Sequence, residues 1–445
     1  VCSHGEKLAS IMAGRVQSSS PSNAVLYASL AVGFSMELLA GIVYSIGVWG
    51  KDLAAVAAWP TGELQTASAA LNLGLYVSPD VGIFIDYWGK RACERPAALL
   101  AAALLGVGWL TLWSVAAGHS LVPGAEIFAF WLIGHGNFAA FAAPLRANSH
   151  NFGRHRAGLV DGLLLSGFSM SSAIFSCMYA LEFGRRRVAD FLAVLALLSI
   201  LIPVLSAALT VRRPQGLGGS EDDGDACRDA RSVALSTGYV DVEAMSSRRT
   251  LEIRSTGRRL RALRTSFFWR LWSLLALSGG CTVWFAQSAG RLADTTDDAV
   301  SGTGLVFWFC AANVVARLAG GALAGEHVAL AVPSAGLIAA AAIAALAGDG
   351  VPCATVVAIV FAGLSQGLLF ACWPGAVRDA FGERDFSVNL SLANSALGAG
   401  STMYLKALGA GLHGPLWTSV ILSPLTICLA VSLFARPAPC SDVGD

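Results

Sequence analysis

Glu37 and His135 are the side chains of this 445-residue chain best placed to exchange protons. Each lies deep in an apolar run of membrane-spanning length, where an ionisable group is costly and is a functional candidate by default. Glu37 falls about 13 residues into its run, roughly 20 Å along a helix that rises 1.5 Å per residue. His135, in Gly134-His135-Gly136-Asn137, stands at similar depth in another run. A carboxylate and an imidazole there can carry a coupled proton or meet a substrate charge, because the imidazole titrates near neutral pH. The plain alternative is a neutral Glu37 hydrogen-bonded to a neighbouring helix and a His135 packed among small residues. Trp284, Gln287, Gln366 and Trp373 offer amide and aromatic surface suited to a small polar or anionic ligand, although aromatic residues in such runs also simply pack.

Enzyme chemistry finds no such support. Gly167-Phe168-Ser169-Met170-Ser171 lacks the second glycine of a nucleophile elbow. No phosphate-binding loop occurs, and the histidines show no helical metal-ligand spacing. The ten cysteines are scattered without a CxxC pair and read as small apolar packing residues. No metal, cofactor or nucleic-acid partner is expected, and the chain is expected to act as a monomer.

The elements that must hold these side chains are long and apolar. Hydrophobic residues make up 55% of the chain and charged ones 13%, with a mean hydropathy of +0.62, which excludes a soluble multidomain protein. An α-helix needs roughly 20 apolar residues to cross a ~30 Å hydrocarbon core. Twelve such runs are read, at 24–48, 61–85, 96–117, 121–145, 157–181, 189–211, 267–290, 301–325, 328–348, 351–377, 387–411 and 415–435. They are named spans one to twelve below. Helices are expected throughout, because lipid offers backbone groups no partners. The abundant glycine reads as close helix packing rather than flexibility.

A polar stretch, 212–266, divides the spans six and six. The domain reading is therefore a tail at 1–23, a six-helix bundle at 24–211, a central loop at 212–266, a second bundle at 267–435 and a tail at 436–445. Most Lys and Arg fall on one side of this layout. Lys51, Arg185, Arg186, Arg187 and Arg291 occupy the opposite loops, so the positive-inside rule puts both termini and the central loop in the cytoplasm. Within the loop, Gly216–Asp225 is Gly-rich and acidic, whereas Arg248–Arg264 carries seven arginines against Glu252. The basic part is expected either to lie along anionic inner-leaflet lipid or merely to fix topology. The first 23 residues show no signal peptide, so span one is expected to serve as the insertion signal, and the initial Val suggests an incomplete or processed chain.

Between spans two and three, Leu73–Arg91 reads LGLYVSPDVGIFIDYWGKR. It resembles the Gly-x-x-x-Asp-x-x-Gly-Arg-Lys loop of the major facilitator superfamily, with Gly82, Asp86, Gly89, Lys90 and Arg91 at the matching places. Further stretches resemble the nodulin-like branch, relatives of the monocarboxylate and oxalate–formate carriers. They are Gly41-Ile-Val-Tyr44-Ser-Ile-Gly47, then Asn151-Phe152 with Arg156, Gly158 and Gly162, and Asn313-Val-Val-Ala-Arg317-Leu-Ala-Gly320-Gly321 closed by Glu326. The run from Gly363 through Pro374, Phe381-Gly382, Asn389, Leu392-Ala393-Asn394, Gly398 and Ser401 belongs with them. Departures include Ser78 for a usual glycine, Pro79-Asp80 interrupting the end of span two, and no buried arginine within span four, Arg146 lying at its end.

The resemblance implies an all-α membrane fold of twelve transmembrane helices in two pseudo-symmetric six-helix bundles, and secondary transport of a small, anionic, monocarboxylate-like metabolite by alternating access. A coupled proton is a candidate second cargo, and a transporter-like membrane receptor without translocation is the alternative. Spans one, four, seven and ten would line the pathway, bringing Glu37, Tyr44, His135, Asn137, Trp284, Gln287, Gln366, Trp373 and Asn394 to it. Gly82, Asp86, Gly89, Lys90 and Arg91, with Arg317 and Glu326 in the second half, would form a gating latch.

Overall fold

The computed structural model describes residues 21–60, 62–152, 154–211, 261–286, 302–323 and 354–409. Spans nine and twelve and nearly all of the tails and central loop lie outside the described residues, so the reading of Arg248–Arg264 as a lipid-facing segment cannot be followed there beyond the short turn Arg261–Arg264. The described part is helical, with no strand. Eight of its helices are long and apolar enough to cross a membrane: Asn23–Val56, Glu63–Gly89, Arg95–Ala116, Ala125–Ser149, Arg156–Phe183, Val188–Leu209, Thr303–Ala322 and Ala354–Phe381. They correspond to spans one to six, eight and ten. Span seven is described as Ser266–Leu274 continued by a π-helical turn, Leu275–Gly279, and span eleven as Phe386–Gly409. The chain is an integral multi-pass membrane protein.

Interruptions in these helices fall where the sequence dictates them. In span two the helix stops at Tyr76 and restarts at Pro79. Proline has no N–H to continue the ladder and pushes the residue before it out of helical geometry. Ser78 accordingly takes φ −129° and ψ 51°. Its hydroxyl turns back onto the Gly74 carbonyl, one of the groups the break leaves unpaired. Span one tightens into a 3-10 turn at Gly41–Ser45 and then runs on to Val56, eight residues beyond the span read from sequence.

The first half is held by an aromatic centre. Trp49 of span one is 1% exposed, lies between Trp109 of span three, Phe130 of span four and Phe191 of span six, and donates to Ser45 Oγ at 2.9 Å. The two halves meet along spans two and eleven and along spans five and eight. Glycine sets the second contact: a Cβ on Gly162 would lie 2.6 Å from the Arg317 carbonyl, and one on Gly321 would lie 3.1 Å from Gly162 Cα. Without those missing atoms the backbones could not approach so closely.

Candidate functional site

Between the halves lies a small, partly open cavity. Tyr44 from span one, Phe168, Ser169 and Ser172 from span five, Cys310, Asn313 and Arg317 from span eight, and Gln366 from span ten line it. Arg317 is its one cationic lining residue and is 1% exposed. Arg317 stands inside the helix read as span eight, and the glycine pair just beyond it, Gly320-Gly321, packs against neighbouring helices.

The wiring around Arg317 fixes the hydrogen-bond polarity of the cavity. Its Nε donates to Asn313 Oδ1 at 2.7 Å, and its Nη1 donates across the halves to the Leu165 carbonyl. The guanidinium sits over the rings of Phe168 and Phe370 at 5.5 and 5.0 Å. Asn313 Oδ1 also accepts from Ser169 Oγ at 2.8 Å. Arginine can only donate, so the oxygen of Asn313 must face it and the amide nitrogen must face away. That nitrogen donates to Gln366 Oε1, which leaves the Gln366 amide nitrogen as a donor. No carboxylate reaches ion-pair distance of Arg317 among the described residues. A buried guanidinium costs several kcal/mol in lost solvation, which cation–π contacts worth about 0.5–2 kcal/mol each only partly offset.

Glu37 is buried in span one, and neither carboxylate oxygen has a hydrogen-bond partner among the described residues. It interacts through space with Arg317 without touching it. Tyr44 lines the cavity and pairs its hydroxyl with that of Tyr76 at 2.7 Å.

His135 does not line the cavity. It is turned toward the break in span two, its Nε2 lying 3.5 Å from Asp80 Oδ1, with the Trp131 ring 4.1 Å away. The reason is local: Gly134 seats span four directly on span two, a Cβ there lying 2.7 Å from the Leu75 nitrogen. Asn137, Trp284 and Trp373 are buried away from the cavity. Asn394 donates to the Leu75 carbonyl at 3.1 Å, joining spans eleven and two. Gln287 and Glu326 lie outside the described residues, as do the side chains of Lys90 and Arg91.

At the end of the bundle where spans two and three are joined, two polar clusters tie the halves together. Asp86 accepts from the backbone N–H groups of Ser387 and Val388 at 3.1 and 2.9 Å. These are orphan donors in the first turn of span eleven, where a carboxylate is favoured by the helix dipole. Asp86 is itself paired with Arg146, whose Nε lies 3.4 Å from Glu94. Gly82 permits the approach, since a Cβ would stand 2.7 Å from the Ser387 carbonyl, and Gly89 lies against Arg146. In the second cluster, Arg378 of span ten reaches Asp161 Oδ2 and Ser149 Oγ, each at 2.9 Å, and Ser149 donates to Asp161.

Among solved structures, the chain is similar to FucP, described as a major facilitator superfamily transporter in the outward conformation. Identity is 12%, the TM-score 0.64, and 92% of this chain and 99% of that one are covered. A second structure of FucP, from E. coli and described as a fucose:proton symporter, matches at 12% identity and TM-score 0.62, covering 92% and 98%. The proton:xylose symporter XylE, bound to 6-bromo-6-deoxy-D-glucose, matches at 11% identity and TM-score 0.68, covering 93% and 96%. The fold is the major facilitator fold of twelve helices. No protein-family model and no curated protein matches the chain.

Proposed function

We propose that this protein is a secondary transporter of a small anionic metabolite, monocarboxylate-like, which binds at Arg317 and crosses by alternating access of the two halves. The observation that carries this reading is a buried guanidinium with no carboxylate at ion-pair distance among the described residues, facing a cavity between the halves. A carboxylate ligand would supply the missing charge and accept from donors already aimed at it. The nodulin-like resemblance points to the same ligand class. The similar structures are described as proton symporters of sugars, which supports a coupled proton, with Glu37 as its candidate carrier.

The clusters at Asp86 and Asp161 would be latches of the state closed at that end, which the charge distribution makes the cytoplasmic end. The decisive experiment is uptake into proteoliposomes. Saturable, gradient-driven accumulation of a short carboxylate supports a transporter. Saturable binding without translocation would favour a receptor on the same scaffold.

A further inference from the structure

The paired hydroxyls of Tyr44 and Tyr76 carry information that neither residue does alone. Tyr76 is the last residue of the first half of span two, 2% exposed, and packs against Gly398 of span eleven, where a Cβ would lie 2.9 Å from its own. It does not line the cavity, and Tyr44 is its hydrogen-bond partner at 2.7 Å. A hydroxyl pair shares one proton between two oxygens and leaves the other proton free. If Tyr44 donated, the Tyr76 proton would be stranded in a buried site with no other acceptor among the described residues, and an unmade buried hydrogen bond costs more than a made one returns. If Tyr76 donates, its proton is satisfied and the freed Tyr44 proton can point into the cavity.

We propose that Tyr76 is a positioning residue for anion binding: its hydroxyl donates to Tyr44 and commits the Tyr44 hydroxyl as a donor to the ligand held at Arg317. This rests on the reading of the cavity as an anion site and adds a residue outside it. The cavity then offers donors from Arg317, Tyr44 and Gln366, which suit the acceptor oxygens of a carboxylate.

The test is a double-mutant cycle on the purified full-length chain, with affinities for acetate, propionate and pyruvate measured by calorimetry. A hydrogen bond to a charged group is worth enough to change affinity by about tenfold or more. Tyr44→Phe and Tyr76→Phe should each weaken carboxylate binding by about tenfold, and Tyr76→Phe should add less than twofold in a Tyr44→Phe background. Fully additive losses, or no loss in Tyr76→Phe, would overturn the positioning role while binding that still depends on Arg317 leaves the anion site standing. Arg317→Gln binding carboxylates as well as wild type, or wild type binding none of them, would overturn both.

Should Tyr76→Phe fold poorly, ring ¹³C-tyrosine spectra of the wild type give a second measure. Carboxylate should shift the Tyr44 signal, identified by its loss in Tyr44→Phe, and the Tyr76 signal with it. A Tyr76 signal indifferent to ligand contradicts the proposal.

Discussion

Asp86 on span two accepts the backbone N–H of Val388 on span eleven at 2.9 Å, so a carboxylate of one half caps a helix of the other. The contact is made only when the halves are together at that end. Asp86→Asn keeps the shape but loses the charge that the helix terminus and Arg146 both use. It should weaken the closed state by about 1–3 kcal/mol. A cysteine at Val388 should then react faster with a thiol reagent, with near-normal folding. Unchanged labelling and turnover would remove Asp86 from gating.

Gly82 tests the same contact by size rather than charge. An alanine Cβ would meet the Ser387 carbonyl at 2.7 Å and Val388 Cα at 2.8 Å, and backbone atoms cannot swing aside as a flexible side chain can. Gly82→Val should therefore bias the protein toward the state open at that end, measurable as increased labelling at Val388. Labelling equal to wild type would show that the helices part without consequence.

The second cluster predicts an ordering of variants. Arg378→Ala leaves Asp161, whose side chain is 2% exposed, as an unpaired buried charge, a loss of about 3 kcal/mol. Asp161→Asn combined with Arg378→Gln removes both charges and should be more thermally stable than Arg378→Ala alone. The reverse order in a thermal melt would mean that the pair is not coupled as drawn.

How much of this could be read in the sequence depends on how local each constraint is. The break at Pro79 and the packing glycine Gly82 were legible, because a proline or a glycine acts on its own backbone. The spans among the described residues are legible for the same reason, since hydropathy acts on each run separately. Arg317 lies inside the helix read as span eight, but its place in the cavity depends on spans one, five and ten, which no local motif specifies. Arg146 reads only as an arginine at the end of span four, because its partner Asp86 comes from another helix, 60 residues away. Arg378 and Asp161 are 217 residues apart, and no spacing rule pairs them. Tyr76 carried no signal at all, since its hydroxyl acquires meaning only beside Tyr44.

His135 offers a further measurement. Facing Asp80 rather than the cavity, it should not touch the ligand, so His135→Gln should keep substrate affinity within about twofold of wild type, well short of the change a lost hydrogen bond to a charged ligand brings. A loss comparable with that of Arg317→Gln would put the imidazole back on the pathway.

Glu37→Gln separates proton coupling from binding. The substitution preserves side-chain shape in a site where the carboxylate has no hydrogen-bond partner among the described residues, so folding should be near normal. If Glu37 carries the proton, pH-driven accumulation is lost while exchange down a substrate gradient persists. Retention of pH-driven accumulation would exclude it as the carrier.

The most direct measurement is equilibrium binding of acetate, pyruvate and a neutral sugar to the wild type and to Arg317→Gln and Arg317→Lys. Removing the charge that should hold the anion is expected to weaken carboxylate binding by about 100-fold or more, with Arg317→Lys intermediate, because lysine keeps the charge but loses the planar fork. Carboxylate affinity unaffected in Arg317→Gln, or tight sugar binding by the wild type where carboxylates fail, would contradict an anion site at Arg317.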